Sequence, residues 1–260
     1  MSVQGHAPRR RFGQNFLVDR DVIEGIVRAV DPRPGECIVE IGPGLGALTN
    51  LLLARAGRLD VIEIDRDLAA RLRIAHPDAA LTVHEADALR FDWNTIAGPL
   101  RLVGNLPYNV STPLLFRIAD LANRLRDAHF MLQREVVDRM VAAPGSAEYG
   151  RLSVMLQYRF RMEKVLDVGP DSFRPAPKVR SAVVRLVPHP VAGDVDVAVL
   201  AGVVTAAFTK RRKMLRNALE GVLPDGAIAE AGLDPACRPE TVSLEQFVAL
   251  ARLARRPAGE

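Results

Sequence analysis

Several features that would place this chain in a familiar structural class are missing. It has only 2 cysteines, Cys37 and Cys237, so the sequence indicates no disulfide framework. No apolar run is long enough to span a bilayer. The 5 histidines are scattered without a metal-ligand spacing, and we therefore assign no metal. These absences argue against a secreted disulfide-rich domain, a membrane-spanning protein and a zinc hydrolase.

The composition is that of a globular enzyme. With 260 residues, 48% of them hydrophobic, the chain can bury a substantial core. An arginine cluster at residues 9–11 resembles part of a transit peptide, but the motif that begins at Gly13 follows too closely to leave a removable segment. We expect a soluble protein of the cytoplasm.

A glycine-rich turn between a strand and a helix is the first candidate ligand site. Residues 37–49 are typical of a buried strand, a turn with Gly42 and Gly44, and the start of a helix. Together with Ala47, these glycines fit the dinucleotide fingerprint, and Glu63 lies at the usual distance of about 20 residues for a ribose-binding acid. The glycine spacing alone therefore does not distinguish NAD from S-adenosylmethionine.

Acidic residues at the strand ends favour S-adenosylmethionine. Glu40 puts a carboxylate beside the glycine loop, which suits a cofactor with a sulfonium and an amino group better than one with a pyrophosphate. A third strand over residues 81–88 brings Asp87, which can accept a hydrogen bond from the amino group of an adenine. A fourth strand ends at Asn105. Open α/β sheets bind ligands at the carboxyl ends of such strands.

The segment that follows this fourth strand has the groups needed to hold a flat base by its amino group. Acceptors aimed at an adenine amine favour the pyramidal geometry it needs for attack, and the Asn105 side-chain oxygen and the Leu106 carbonyl are candidates. Pro107 fixes the backbone and lacks an N–H, while Tyr108 offers a ring for stacking. An ordinary Asn-Pro turn after a strand is the alternative interpretation.

Several motifs taken in order closely resemble the ribosomal RNA adenine dimethyltransferases, and within them the KsgA (RsmA) branch. The similarity runs from about Arg10 to the C-terminal helices, and the ordered set is far more specific than any one motif. The matching segments are Phe12 to Leu17, Glu40 to Gly44, Asn105 to Pro113, Tyr149 to Val154, and Phe173 to Val179.

This resemblance implies an enzyme that transfers methyl groups from S-adenosylmethionine to N6 of two adjacent adenines. The target is a hairpin loop near the 3′ end of 16S rRNA in the small ribosomal subunit, and each adenine is methylated twice. The resemblance also implies a role in small-subunit biogenesis, no metal, no membrane partner and a monomeric protein.

The resemblance assigns roles to individual residues. The expected target-base residues are Asn105, Leu106, Pro107 and Tyr108, with Phe173 as a second stacking face. The expected cofactor residues are Asn15, Leu17, Gly42, Gly44, Glu63, Asp87 and Asn105.

Two positions depart from the pattern. Ala176 and Arg180 stand where family members often have proline and aspartate, so the target pocket differs in detail.

Basic residues are concentrated at the two ends of a chain whose net charge is +4. One cluster is residues 9–11, and the other is residues 210–213 with Arg216. We predict that Arg211, Arg212 and Lys213 bind RNA phosphates from a helix over Lys210 to Leu219. The alternative is a solvated helix face without a ligand.

The order of the predicted elements indicates the fold class. Strand and helix patterns alternate, which predicts an α/β protein with a parallel sheet flanked by helices. The resemblance implies that this is the Rossmann-like sheet of class I S-adenosylmethionine-dependent methyltransferases. The prolines near residue 188 mark a linker, after which the pattern is helical. We therefore predict a catalytic domain over residues 1–190 and a smaller helical RNA-binding or ribosome-binding domain over residues 191–260.

Three alternatives remain open from the sequence. A NAD-dependent oxidoreductase is supported only by the glycines and Glu63. A ribosome-assembly factor could keep this fold and bind RNA without catalysis. The Erm enzymes, which dimethylate an adenine of large-subunit RNA, share the fold and much of the active site.

Overall fold

The computed structural model describes residues 3, 5–9, 12–190, 195–210 and 213–254. The chain divides into two compact units, each built from two segments. The first combines Met1–Val137 with Arg161–Pro188, and the second combines Asp138–Phe160 with His189–Glu260. The domain boundary predicted at residue 190 stays a prediction. In the structure, residues 138–160 group with the C-terminal helices.

The first unit is built on a seven-stranded sheet. The strands are β2 (Cys37–Ile41), β3 (Leu59–Glu63), β4 (Leu81–Glu85), β5 (Leu100–Asn105), β6 (Leu125–Gln133), β7 (Phe160–Val168) and β9 (Ser181–Pro188). Their order in the sheet is β4-β3-β2-β5-β6-β9-β7, with parallel pairing from β4 through β6 and antiparallel pairing of β9 with β6. This arrangement confirms the predicted α/β class.

The central strands are buried on both faces because helices cover the sheet on either side. Ile38 and Val39, which point to opposite faces of β2, are 1% and 0% exposed. Parallel strands end at the same edge, so β2, β3, β4 and β5 bring their last residues to one side of the sheet. The helices of this unit are α1 (Arg20–Val30), α2 (Thr49–Ala56), α3 (Arg66–Ala75), α4 (Ser111–Asp120) and α5 (Arg134–Met140), the last of which continues into the second unit.

Strands β2 and β5 leave no room for a side chain at Gly104. A Cβ atom built on this glycine would lie 2.5 Å from the carbonyl oxygen of Ile41 and 3.1 Å from a methyl group of Leu106. A side chain does not fit there unless the backbone moves, so the glycine sets the spacing of the strands immediately before Asn105.

A second, two-stranded sheet attaches the N-terminal segment to the first unit. Strand β1 (Phe16–Leu17) pairs antiparallel with β8 (Phe173–Arg174), so that Leu17 lies opposite Phe173. Leu17 and Phe173 both belong to the core cluster, and this burial holds the residues just before α1 against the main body of the unit.

The second unit is helical. Its core includes Tyr149, Phe208 and Phe247, whose rings pack with centroid distances of 6.1 and 5.7 Å. No helix in the described ranges is both long and apolar enough to cross a membrane. The helices are α6 (Arg151–Gln157), α7 (Val197–Thr209), α8 (Leu215–Ala218), α9 (Ala227–Glu230) and α10 (Leu244–Leu253).

The predicted helix over Lys210 to Leu219 is wrong. Helix α7 ends at Thr209, and α8 begins only at Leu215. Lys213 lies in the connection, where its N–H donates to the Lys210 carbonyl at 2.8 Å, as in a turn. Of the basic residues that the structure describes here, Lys210 and Lys213 therefore lie outside the two helices, and apolar residues on either side of them belong to α7 and α8.

A buried histidine on β6 makes the stability of this fold depend on pH. His129 is 1% exposed, and neither ring nitrogen has a hydrogen-bond partner among the described residues. Burial lowers its pKa to about 4 from 6.5, and the neighbouring Arg185 and Arg101 act in the same direction while Asp127 and Glu163 oppose them. The unfolded chain therefore takes up a proton at a higher pH than the folded chain.

We expect this histidine to reduce stability as the pH falls from about 6.5 to about 4. Above this window both states are neutral at this position, and below it both are protonated. The free energy of unfolding should fall by up to about 3 kcal/mol from this group alone. Urea unfolding of wild type and His129→Leu at several pH values in this range measures the effect, since the carboxyl groups contribute equally to the pH dependence of both proteins. Parallel plots of unfolding free energy against pH would contradict the assignment.

Candidate active site

One cavity of about 300 Å³ opens at the carboxyl ends of β2, β3, β4 and β5. This volume falls at the lower end of the range for small-molecule sites, about 300–1,000 Å³. All of its lining residues belong to the first unit. Those that the sequence singled out are Asn15, Leu17, Gly42, Gly44, Glu63, Asp87, Asn105, Leu106, Pro107 and Tyr108.

The glycine loop after β2 is held by hydrogen bonds from its backbone N–H groups to a carbonyl and a side chain of β3. The Gly42 N–H donates to the Ile62 carbonyl at 2.9 Å, and the Gly44 N–H donates to Glu63 Oε2 at 3.1 Å. Gly44 has a φ of +58°, and a Cβ atom there would lie 3.2 Å from the Phe16 ring. The conformation and the close packing both require glycine, which leaves the loop backbone accessible from the cavity.

Glu63 is oriented by the backbone around it. Its side chain is buried, Oε1 accepts from the Asp65 N–H at 2.8 Å, and Oε2 accepts from the Gly44 N–H. Burial raises the pKa of this carboxyl, while the two backbone donors lower it. A carboxylate fixed in this way retains acceptor capacity for the hydroxyl groups of a ribose.

Glu40 is the second buried carboxyl at the cavity and has fewer partners. The Thr49 hydroxyl donates to its Oε2 at 2.6 Å. Burial raises the pKa of Glu40 to about 8, and the nearby Glu63 acts in the same direction. The sequence alone predicts a carboxylate here, whereas burial favours the protonated form of Glu40 and the hydrogen bond from Thr49 opposes this. A bound cation would favour the ionised form, because opposite charges lower a carboxyl pKa.

The charge of the cavity distinguishes between the two cofactor types. Among the described residues that line it, none is lysine, arginine or histidine, while Glu40, Glu63 and Asp87 contribute carboxyl groups. A pyrophosphate would meet acids without a compensating cation. A cofactor with a sulfonium and an ammonium group fits this set, and the glycine loop leaves room for it to approach.

Asp87 and Asn105 complete the edge of the sheet. Asp87 Oδ1 accepts from the Leu89 N–H at 2.9 Å, which fixes the turn after β4. Asn105 Nδ2 donates to the Asn15 carbonyl at 3.0 Å. With the amide nitrogen used in this way, the Asn105 side-chain oxygen remains available as a hydrogen-bond acceptor.

Tyr108 is held by a partner that the sequence did not reveal. Its hydroxyl lies 2.7 Å from Ser181 Oγ, and the ring is partly exposed at the cavity. Burial raises the pKa of Tyr108, which therefore stays neutral. Ser181 directly follows Arg180, so this departure from the family pattern lies next to the residue that fixes the ring.

Phe173 does not occupy the predicted position. Its side chain has no exposed surface, belongs to the core cluster and is not among the cavity-lining residues. The pairing of β8 with β1 buries this residue, so it offers no second stacking face here.

The predicted RNA-binding residues are described only in part. Lys213 is exposed in the second unit. Arg211 and Arg212 lie outside the described residues.

Comparison with known proteins identifies the family. A family model described as "Ribosomal RNA adenine dimethylase" matches residues 5–255. The chain belongs to this family. Two similar relatives are both named "Ribosomal RNA small subunit methyltransferase A". The one from Dechloromonas aromatica is 57% identical, covering 96% of this chain and 98% of the relative. The one from Laribacter hongkongensis is 58% identical, covering 94% and 95%.

Solved structures agree on the fold. The 23S rRNA methyltransferase ErmE matches with a TM-score of 0.72 and 29% identity over 92% of this chain and 99% of that one. A dimethyladenosine transferase from Plasmodium falciparum matches with a TM-score of 0.79 over 90% and 95%, and at 22% identity it shows the fold alone. The predicted class I methyltransferase fold and the resemblance are both confirmed. The family match rules out the NAD-dependent oxidoreductase.

Proposed function

We propose that this protein transfers methyl groups from S-adenosylmethionine to N6 of two adjacent adenines in a hairpin loop near the 3′ end of 16S rRNA. The observation that supports this most is the shared cavity, because residues 105–108 and the glycine loop line the same space. A donor site and an acceptor site must be adjacent for direct transfer. The relatives named as small-subunit methyltransferases support the choice of RNA.

The residues at the cavity divide the chemistry between them. When bound, S-adenosylmethionine supplies an electrophilic methyl group. Glu63 would accept from its ribose, Asp87 from its adenine, and Asn15, Leu17, Gly42 and Gly44 would form the surrounding walls. We propose that the Asn105 oxygen and the Leu106 carbonyl accept from the target amine, whose lone pair is thereby directed at the methyl group.

No strong general base is needed. The amine becomes acidic once it is methylated, and its proton can leave to water. Among the described cavity residues there is no histidine, and His84 instead bonds Asp60 at 2.7 Å.

Recognition of the RNA requires surface beyond the base pocket, because the pocket contacts only the flipped base. We propose that Arg211, Arg212 and Lys213 supply phosphate contacts, and that the protein acts in the cytoplasm as a monomer on the assembling small subunit. A role in subunit assembly that is separable from catalysis is compatible with the same surface.

An Erm-type activity on 23S rRNA is the second candidate, because ErmE matches nearly the full length of this chain. The deciding experiment offers purified enzyme and labelled S-adenosylmethionine to two substrates, immature small subunits and free large-subunit RNA. We expect methylated adenines only in the 16S hairpin. Methylation of the 23S RNA alone would select the Erm-type activity, and binding of small subunits without methyl transfer would select the assembly factor.

Tyr108 tests the stacking role. Replacing it with alanine should weaken capture of the flipped base by roughly 1–3 kcal/mol, because a base-aromatic contact is lost. Tyr108→Phe keeps the ring and loses only the hydrogen bond to Ser181 Oγ, so its effect should be mild. The measurement is KM for the RNA substrate, with thermal unfolding as the control for folding. If both variants lose equal activity, the hydroxyl is the important group.

A further inference from the structure

Asp65 is a fully buried carboxyl that the proposed chemistry does not use. It lies two residues beyond the end of β3, has 0% exposure and caps the start of α3 by accepting from the Asp67 N–H. Its carboxylate is turned toward the N-terminal arm, defined here as residues 5–9 and 12–17. Arm residues 12–17 form one wall of the cofactor cavity.

Each carboxylate oxygen of Asp65 accepts a hydrogen bond from the arm. Arg9 Nη1 donates to Oδ1 at 2.7 Å, and Gln14 Nε2 donates to Oδ2 at 2.9 Å. The Arg9 backbone N–H also donates to Gln14 Oε1 at 2.7 Å, which connects the two donors to each other. His6 Nε2 lies 3.7 Å from Oδ2. Charge-assisted hydrogen bonds to a buried carboxylate are among the stronger polar contacts in proteins.

The same residue connects the arm to the predicted cofactor ligands. The Asp65 N–H donates to Glu63 Oε1 at 2.8 Å, and Glu63 Oε2 accepts from Gly44 at 3.1 Å. A continuous path of hydrogen bonds therefore runs from Arg9 through Asp65 and Glu63 to the glycine loop.

The arm also contacts the other side of the cavity. The Asn15 carbonyl accepts from Asn105 at 3.0 Å, and Asn109 Oδ1 lies 3.0 Å from the position of a Cβ built on Gly13. Phe16 packs against Gly44. Displacing the arm would therefore remove contacts to the donor loop and to the residue that handles the target amine.

We propose that Asp65 is a positioning residue that fastens the N-terminal arm across the cofactor cavity and thereby slows the release of S-adenosylmethionine. The inference rests on the proposed function for the identity of the cofactor. Asp65 contacts neither reacting group, and it acts through the arm wall and through the orientation of Glu63.

The first test is Asp65→Asn, which keeps the helix cap and the backbone donor to Glu63 but removes the charge that pairs with Arg9. We expect S-adenosylmethionine to dissociate about tenfold faster, because a hydrogen bond to a charged group is weakened. Stopped-flow displacement of labelled cofactor measures the rate. Asp67→Asn is the matched control, since Asp67 also pairs with Arg9 but its side chain is 56% exposed, and exposed pairs contribute little.

A double-mutant cycle separates fastening from a general loss of structure. Arg9→Gln should accelerate the release of S-adenosylmethionine by itself. Adding Asp65→Asn should produce little further change, because both substitutions remove the same contact between Arg9 and Asp65. Independent, additive effects would overturn the proposal. If Asp65→Asn fails to fold, Gln14→Ala replaces it in the cycle.

Limited trypsin digestion tests whether Asp65 holds the arm in place when no cofactor is bound. Cleavage within the basic cluster at residues 9–11 should be faster in Asp65→Asn than in wild type or Asp67→Asn, as read by mass spectrometry. Equal cleavage in all three would overturn the fastening role. Failure of the wild type to bind S-adenosylmethionine would instead contradict the proposed function, and the digestion result would then decide the fastening role by itself.

Discussion

Asn105→Ala should reduce methyl transfer by roughly 10²–10³-fold, the usual effect of removing one polar group that stabilises a developing charge. The structure makes this expectation specific, because the hydrogen bond from Asn105 Nδ2 to the Asn15 carbonyl leaves the side-chain oxygen as the available acceptor. Single-turnover rates with saturating RNA and cofactor measure the effect on the chemical step.

The control for Asn105 is Asn50→Ala, which removes an exposed asparagine of α2 whose side-chain oxygen lies 3.1 Å from His76 Nε2, outside the cavity. Its rate should match wild type. Near-normal turnover of a folded Asn105→Ala protein would remove this residue from the mechanism. Methyl transfer should stay slow even at saturating cofactor, since the acceptor acts on the target amine.

Gly104→Ala should be strongly destabilising and should also impair catalysis. The added methyl group would lie 2.5 Å from the Ile41 carbonyl oxygen, so β5 must move away from β2. Overpacking of this kind costs on the order of 1–3 kcal/mol or more in unfolding free energy. Because Asn105 is the next residue, the displacement would also misplace its side chain.

Gly202→Ala provides the opposite result for the same chemical change. Gly202 is exposed within α7, and a Cβ atom there meets nothing within 4 Å. Alanine in a helix should raise the unfolding free energy by about 0.5–1 kcal/mol. Urea unfolding of both variants makes the comparison, and equal stability would mean that the close approach of the two strands is not important.

Local patterns are sufficient to predict the features that depend on residues close in sequence. The glycine turn after β2, the acids at the strand ends and the alternation of strands and helices are all encoded within short segments. The parallel sheet then brings the strand ends together without further information, which is why Gly42, Glu63, Asp87 and Asn105 meet at one cavity.

Features that depend on distant pairing could not be predicted. Phe173 looks like a stacking residue in its motif, but its neighbour in space is Leu17, and this contact buries it. Ser181 lies 73 residues from Tyr108, and no local signal connects them. The segment that begins at Lys210 has helical spacing, yet the described helices end at Thr209 and begin again at Leu215, because helix propensity is a weak guide to where a helix ends. The contact between the arm and Asp65 likewise joins residues that are far apart in sequence.

The composition of the second unit limits how the protein can be divided. Because this unit takes residues from both Asp138–Phe160 and His189–Glu260, the polypeptide passes from one unit to the other three times. A fragment that starts after residue 190 would lack α6 and Tyr149, whose ring packs on Phe208. A stable excised version would need both segments joined by a short linker that replaces the strands between them, so a deletion meant to isolate RNA binding should be built as this internal fusion.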